Sequence, residues 1–219
     1  MVELRVSVRE AESANPPIVF THGWIDDHTV WDGVRAELDD RTTIAWDLRG
    51  HGRSEAPPPG EYSRELLLDD MRSVVETAGQ PVVLAGHSLG GYLGLAFALL
   101  HPDLVAGLVL IAAGPGFRNP EARDQWNAAV DASAAKLHLP PGSEEASKHV
   151  DSWVIDELET IEVPVVAVVG ERDKRFQASL GLFEKKLNVV HSAVVPDAGH
   201  SVHRKHPAAV AAAIRHLDR

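Results

Sequence analysis

Hydrophobic and polar positions follow two rhythms along the chain, short apolar runs and longer segments of helical period. Residues 3–9 alternate apolar and charged or polar side chains, which is typical of an exposed antiparallel edge strand. The later runs are almost continuously apolar, as in strands covered on both faces. These runs predict strands at Ile18 to Thr21, Thr43 to Asp47, Pro81 to Gly86, Gly107 to Ala112, Pro164 to Gly170 and Ser192 to Pro196.

Segments of helical period fill the gaps between the runs. They predict helices at Val30 to Leu38, Arg64 to Ala78, Leu89 to Leu100, Phe176 to Leu187 and Pro207 to Leu217. Alternation of strands and helices indicates an α/β fold, a mainly parallel twisted sheet flanked by helices, in a single domain over residues 1–219. Residues 114–160 break the rhythm and are rich in Ala, Pro and charge, so we expect a small helical lid insertion there.

Composition narrows the class of function. A formal net charge of −11 with scattered basic residues opposes binding to nucleic acid or anionic lipid. The first ten residues lack the apolar core of a secretory signal, and no run is long enough to span a membrane, so we expect a cytoplasmic protein without a membrane partner. The chain has no Cys, which leaves oxygen or nitrogen as the only side-chain nucleophiles.

The segment Gly86-His87-Ser88-Leu89-Gly90 places a serine between two glycines at a strand-to-helix junction. The sharp turn predicted there strains the central residue and pushes Ser88 out at the carboxyl edge of the sheet. Five residues alone are also compatible with an ordinary glycine-rich turn. The nucleophile hypothesis therefore depends on partners elsewhere in the chain.

Acyl transfer needs two amide N–H donors aimed at the developing oxyanion. Leu89, directly after the serine, supplies one. The other is expected from Trp24 in the loop after the strand Ile18 to Thr21, where Gly23 allows a close turn.

A serine hydroxyl also needs an imidazole to accept its proton, and that imidazole needs a carboxylate. Position in the chain favours His200, which follows the last strand, over the other histidines. Asp173 follows the preceding strand and is favoured over Glu171 and Asp197 in neighbouring turns. A metal cluster of His200, His203 and His206 is disfavoured, because on a helix the first and last would lie ~120° apart. No metal and no cofactor are expected.

The stretches FTHGW, DLRGHGRS, GHSLGG, GERD and DAGH occur in that order, and with them the chain resembles the α/β-hydrolase fold family over nearly its whole length. The resemblance implies Ser88 as nucleophile, Asp173 as acid, His200 as base, and the amides of Trp24 and Leu89 as the oxyanion hole. The chain departs from the family's usual pattern in two ways: it has one strand instead of a hairpin before Ile18, and its lid is short.

These residues predict a serine hydrolase that cleaves carboxylic esters, lactones or thioesters of small apolar acyl compounds. Gly23, Trp126 and Trp153 are predicted substrate contacts, although aromatic and leucine side chains of the lid are equally compatible with a small core that holds the lid down. Two alternatives stay open: perhydrolase, haloperoxidase-like or carbon–carbon bond hydrolysis with the same triad, and a non-catalytic small-ligand receptor. The oligomeric state is not predicted.

Overall fold

A computed structural model describes residues 2–218 and shows one seven-stranded sheet in the order β1-β3-β2-β4-β5-β6-β7. The strands are β1 (Val6–Arg9), β2 (Ile18–Thr21), β3 (Thr43–Trp46), β4 (Val82–His87), β5 (Val105–Ile111), β6 (Val165–Gly170) and β7 (Val189–Val195). β1 pairs antiparallel with β3, and all the other pairings are parallel. The predicted fold class is confirmed, including the antiparallel edge strand.

Helices cover both faces of this sheet. They are α1 (Asp32–Ala36), α2 (Arg64–Glu76), α3 (Leu89–Leu100), α4 (Pro120–Ala134), α5 (Trp153–Asp156), α6 (Lys174–Lys186), α7 (Val202–Lys205) and α8 (Pro207–Ile214). Short 3₁₀ segments occur at His28–Trp31, Pro102–Leu104, Ser143–Ser147, Leu158–Thr160 and Arg215–Leu217. Within residues 2–218, no helix combines the length and the apolar character that crossing a bilayer requires.

Several predicted boundaries differ from the observed ones. β2 and α3 begin and end at the predicted residues. The helix predicted from Val30 is instead a 3₁₀ turn followed by the short α1. α6 begins at Lys174, two residues before the predicted start, and β7 begins at Val189, three residues before it.

The core consists of two apolar layers, one on each face of the sheet. One layer packs α2, α3 and Phe183 of α6 against the sheet. The other packs Trp31, Val34 of α1 and the apolar side of α8 against the opposite face. Burial of α3 on nearly all sides agrees with its uniformly apolar sequence.

Residues 114–160 contain α4, α5 and two 3₁₀ segments connected by loops. This insertion is attached to the sheet domain through Arg64 at the start of α2. The Arg64 guanidinium donates two hydrogen bonds to the Asp151 carboxylate, at 2.8 and 2.9 Å, and lies 5.0 Å from the centre of the Trp153 ring. The same ion pair holds the pKa of Asp151 below its usual value. A bidentate charged contact of this kind stabilises one placement of the insertion.

The turn between β4 and α3 is closed by contacts that only glycine permits. A Cβ on Gly86 would lie 2.3 Å from the carbonyl carbon of Gly90, and a Cβ on Gly90 would lie 2.2 Å from the Thr21 carbonyl oxygen. Both distances are far inside van der Waals contact. The first turn of α3 therefore rests directly on the backbone of β4 and on the end of β2.

The residue after β2, His22, is completely buried and connects two loops. Its Nε2 accepts a hydrogen bond from the Leu48 N–H at 3.0 Å, so Nδ1 carries the proton of the neutral ring and donates it to the Gly23 carbonyl at 2.7 Å. Burial, and after it the nearby His51, lowers the pKa of His22 to about 3. In a trans peptide the Gly23 carbonyl and the Trp24 N–H point in opposite directions. His22 therefore orients the Trp24 N–H.

We predict opposite effects for two Gly→Ala substitutions in α3. Gly90→Ala forces a Cβ into the β2 backbone and should lower the free energy of unfolding by about 1–3 kcal/mol, as overpacking does. Gly94→Ala is the matched control, because the nearest atoms to its added Cβ lie 3.9 Å away. It should stabilise the helix by about 0.5–1 kcal/mol. Urea unfolding measures the free energy of unfolding of both variants. Equal changes in this free energy would refute the close packing at Gly90.

Stability should also fall as the pH is lowered, through His22. Its folded-state pKa of about 3 lies below the unfolded value of about 6.5, so its contribution is complete above pH 6.5 and is lost progressively down to pH 3. Between pH 7 and pH 5 the loss from this one group is about 2 kcal/mol. Urea unfolding at pH 7, 6 and 5 should show a shallower pH dependence for His22→Gln. The exposed His138→Gln is the control, and a slope unchanged in His22→Gln would contradict the prediction.

Candidate active site

Ser88 occupies the turn between β4 and α3 with φ 52° and ψ −113°, a conformation that costs a non-glycine residue energy. The backbone around it is fully engaged. The Ser88 N–H donates to the Ile111 carbonyl at 3.0 Å, and the Ser88 carbonyl accepts from the N–H groups of Gly91 and Tyr92. These bonds and the contacts of Gly86 and Gly90 hold the strained serine in place at the carboxyl end of β4.

Strand register brings the loop after β2 alongside Ser88. Thr21 of β2 pairs with Gly86 of β4, so Gly23, two residues later, lies level with Ser88. The approach is close, because a Cβ on Gly23 would lie 3.4 Å from the Ser88 Cβ and 2.7 Å from Nδ1 of His87. A side chain at position 23 would therefore collide with the His87 ring.

Two amide groups flank the serine. Leu89 is the first residue of α3, so its N–H has no acceptor within the helix. Trp24 lines the same cavity as Ser88, and its N–H direction is set by His22. The next residue, Ile25, has φ 68°, which is rare for a β-branched side chain and indicates a loop under strain.

Asp173 and His200 are in direct contact. His200 Nδ1 lies 2.7 Å from Asp173 Oδ2. Because a carboxylate only accepts, the ring proton is on Nδ1 and the lone pair of Nε2 is available. Asp173 is buried, whereas 42% of the His200 side chain is exposed. An exposed imidazole on a buried carboxylate is the arrangement that a general base requires.

The loop that carries His200 packs tightly against the end of β6. A Cβ on Gly170 would lie 2.4 Å from the carbonyl oxygens of Ala198 and Gly199. The Phe176 ring of α6 stacks on the His200 ring at 5.0 Å with an interplanar angle of 21°. The imidazole is thus held by the strand end on one side and by an aromatic ring on the other.

Two cavities meet at Ser88. The His200 cavity has a volume of about 360 Å³ and is also lined by Gly23, Trp24, His87 and Asp26. The His149 cavity has a volume of about 380 Å³ and extends under the insertion, lined by His149 and by the side chains of Leu89, Tyr92, Phe117 and Ser179 among others. Trp126, Arg175 and Phe176 line both cavities. Either volume is sufficient for a small organic group.

Six of the predicted site residues, Ser88, His200, Trp24, Leu89, Gly23 and Trp126, line one or both cavities, and Asp173 is bound to His200. Trp153 is different, because it lines neither cavity. Its ring packs under the Arg64 guanidinium and against the core of the sheet domain. The cavity lining thus does not support the predicted substrate contact at Trp153, and the position of this ring fits the alternative in which lid side chains hold the lid down.

Some cavity residues were not singled out from the sequence. His87 donates from Nε2 to the His200 carbonyl at 3.1 Å, and the two rings lie 4.6 Å apart. Phe176 and Arg175 belong to the first turn of α6, directly after Asp173. The predicted helix began at Phe176, and an earlier start would have placed Arg175 beside the carboxylate loop as well.

Asp26, two residues after Trp24, lies in the His200 cavity beside His87. Its Oδ2 is 3.8 Å from His87 Nδ1, and Arg204 contacts its Oδ1 at 3.4 Å. Burial raises the pKa of Asp26 above its usual value and lowers that of His87 well below 6.5. The neutral form of His87 is therefore favoured beside His200.

Among the described residues 2–218, two groups of side chains have donor atoms close enough to share a metal ion, within 4.8 Å of one another. One is Asp26, His87 and His203, and the other is Asp27, His28 and Asp47. In the second group Asp47 already accepts from the N–H and the ring of His28 and from the Arg53 N–H. In the first, the ring centres of His87 and His203 lie 4.1 Å apart, and the ring planes are tilted by 39°. The absence of a bound metal stays a prediction.

Comparisons with known proteins are consistent with this architecture. An uncharacterized protein of Mycobacterium tuberculosis is 41% identical over 103 residues, which are 46% of this chain and 30% of the relative. The 2-(acetamidomethylene)succinate hydrolase of Mesorhizobium japonicum is 35% identical over 133 residues, 60% of this chain and 47% of the relative. This chain thus spans less than half the length of either relative.

A thermophilic esterase from Thermogutta terrifontis superimposes with a TM-score of 0.79 at 26% identity, over 98% of this chain and 92% of the esterase. A family model described as alpha/beta hydrolase fold matches residues 16–140. That match covers more than half of the chain and includes the turn at Ser88 and the loop at Trp24. The chain therefore belongs to the alpha/beta hydrolase fold family.

Proposed function

We propose that this protein is a serine hydrolase that cleaves carboxylic esters, including lactones and thioesters, of small acyl compounds. The observation that carries the proposal is the strained Ser88 in one cavity with His200, whose ring is hydrogen-bonded to buried Asp173. The similarity to the Thermogutta esterase over the whole chain and to the Mesorhizobium hydrolase over part of it supports hydrolytic chemistry.

Acylation follows from the tautomer of His200. Its unprotonated Nε2 accepts the proton of Ser88 as Oγ attacks the substrate carbonyl carbon. Asp173, which accepts from Nδ1, stabilises the imidazolium that forms. The oxyanion is bound by the N–H groups of Trp24 and Leu89, and each such donor contributes about 3–4 kcal/mol of transition-state stabilisation. The carbon–oxygen bond then breaks, and His200 returns the proton to the leaving alcohol.

Deacylation repeats these steps with water. A water molecule in the His200 cavity attacks the acyl-serine carbonyl while His200 Nε2 accepts its proton, and the acid leaves when Ser88 Oγ regains it. No redox change occurs, so no cofactor is required. The partner implied by this mechanism is a small-molecule ester.

Substitution of the nucleophile should abolish turnover. We expect Ser88→Ala to lower kcat for 4-nitrophenyl butyrate by about 10⁶-fold, since no other group in the cavity forms the acyl intermediate. Steady-state kinetics with 4-nitrophenyl esters of graded chain length measures the loss of kcat. Unfolding curves of the wild-type and variant proteins show that both are folded. Ser192→Ala on β7 is the control and should keep wild-type activity. Retention of more than a hundredth of the activity by Ser88→Ala would contradict the proposal.

The carboxylate should act through the histidine. Asp173→Asn keeps the size of the side chain but favours the wrong tautomer of His200, so we expect kcat to fall by about 10⁴-fold with little change in KM. The control is Asp197→Asn, because Asp197 lies in the His200 loop but pairs with Arg172 instead of with His200. Rates of ester hydrolysis and circular dichroism spectra are compared between the two variants. Equal losses in the two variants would assign both to disruption of the loop.

A further inference from the structure

A cation without a carboxylate partner lies where the two cavities join. Arg175 is the second residue of α6 and lines both cavities. Its guanidinium lies 5.4 Å from the centre of the Trp126 ring, a cation–π distance, and within residues 2–218 it forms no ion pair with an acidic side chain. Neighbouring Arg172 does pair, with Asp197. Arg175 is therefore held by an aromatic face with its donors directed to no anion of the chain.

The charge of the His149 cavity contrasts with the charge of the molecule. The chain contains 32 acidic and 21 basic residues, yet no Asp or Glu lines this cavity, while Lys148 and Arg175 do. Lys148 is neutralised by Asp131 at 2.6 Å. The positive charge of the cavity thus comes from Arg175. A local cation is needed to attract an anion against the field of a chain with a net charge of −11.

The reaction geometry assigns a part of the substrate to each cavity. His200 must protonate the leaving-group oxygen, and it lines only the His200 cavity. The acyl group then extends from Ser88 into the His149 cavity, along the apolar side chains of Leu89, Tyr92 and Phe117. Arg175 also lines this cavity, so its guanidinium is available to the end of a short acyl chain bound there.

We propose that the acyl group of the substrate ends in a carboxylate, separated from the scissile carbonyl by a short apolar chain, and that Arg175 binds this carboxylate. The planar guanidinium presents paired N–H donors that match the two oxygens of a carboxylate. This inference rests on the proposed ester hydrolysis and names its substrate class, the half-esters of short dicarboxylic acids. Arg175 is a specificity-determining residue in this account.

A matched pair of substrates tests the proposal. Mono-4-nitrophenyl adipate and 4-nitrophenyl hexanoate share a six-carbon acyl chain and differ by a terminal carboxylate in place of a methyl group. The wild-type protein should prefer the adipate ester. Arg175→Gln should lower kcat/KM for the adipate ester about 10- to 100-fold, the loss of a charged hydrogen-bonded pair, and change it less than about twofold for hexanoate. Arg175→Lys should recover part of the adipate activity, because it keeps the charge without the paired donors.

Lys174→Gln is the control, because it removes the same charge from the adjacent position, which lines neither cavity. It should leave both substrates within about twofold of the wild-type rate. A wild-type protein without preference for the adipate ester would overturn the proposal. Equal losses on the two esters in Arg175→Gln, or equal adipate losses in Arg175→Gln and Lys174→Gln, would also overturn it.

A binding measurement separates this proposal from the proposed function. Titration calorimetry of adipate into the inactive Ser88→Ala protein needs no turnover. Weaker adipate binding in Ser88→Ala with Arg175→Gln than in Ser88→Ala alone supports the carboxylate site, and equal binding refutes it. If neither ester is hydrolysed by the wild-type protein, the proposed function fails, whatever the calorimetry shows for Arg175.

Discussion

The close packing of the β4–α3 turn on the end of β2 is the constraint on which the site depends. Ser88 adopts φ 52° because the backbone reverses there, and Gly90 rests against the Thr21 carbonyl at a distance that excludes any side chain. The strain at one serine is small compared with the burial of the strands and of α3 around it. The same contact that fixes Ser88 also fixes its distance from the loop of Gly23 and Trp24. Ser88 and the loop of Gly23 and Trp24 are thus held in place by the same rigid contact.

Buried histidines extend this rigidity around the cavity. His22 connects the Leu48 amide to the Gly23 carbonyl, and His87 connects the turn to the His200 loop through its bond to the His200 carbonyl. Both have pKa values lowered by burial, so both act as neutral rings with defined tautomers. His200 differs because its partner is a carboxylate and its ring is exposed to the cavity. Environment therefore distinguishes the exposed, carboxylate-bound imidazole of His200 from the two buried imidazoles.

Much of this arrangement is predictable from the sequence. β2 and α3 were predicted at their observed bounds because each is a mainly apolar segment with a proline near one end, Pro17 before β2 and Pro102 after α3. β7 is an edge strand in which the polar residue His191 separates Val189 and Val190 from the rest of the strand, and the predicted strand therefore began too late, at Ser192. The residues after β4, β6 and β7 were expected to converge because parallel strands end at one edge.

The lid and the substrate contacts are less predictable. Whether an aromatic residue faces a cavity or the core depends on how short helices pack, and sequence period says little about segments as short as α5. Trp153 packs under Arg64 for this reason, while Trp126, on the longer α4, reaches both cavities. Arg175 precedes the predicted helix, which began at Phe176. The sequence prediction therefore did not place the Arg175 side chain beside the Asp173 loop.

The central claim is that Ser88, activated by His200, is the nucleophile, and covalent labelling tests it most directly. The protein is treated with a fluorophosphonate, digested, and mapped by mass spectrometry. The account predicts one adduct, on the peptide that contains Ser88, and its loss when His200 is replaced by Gln. An adduct on another residue, or ester turnover by a protein that takes up no label, would contradict it.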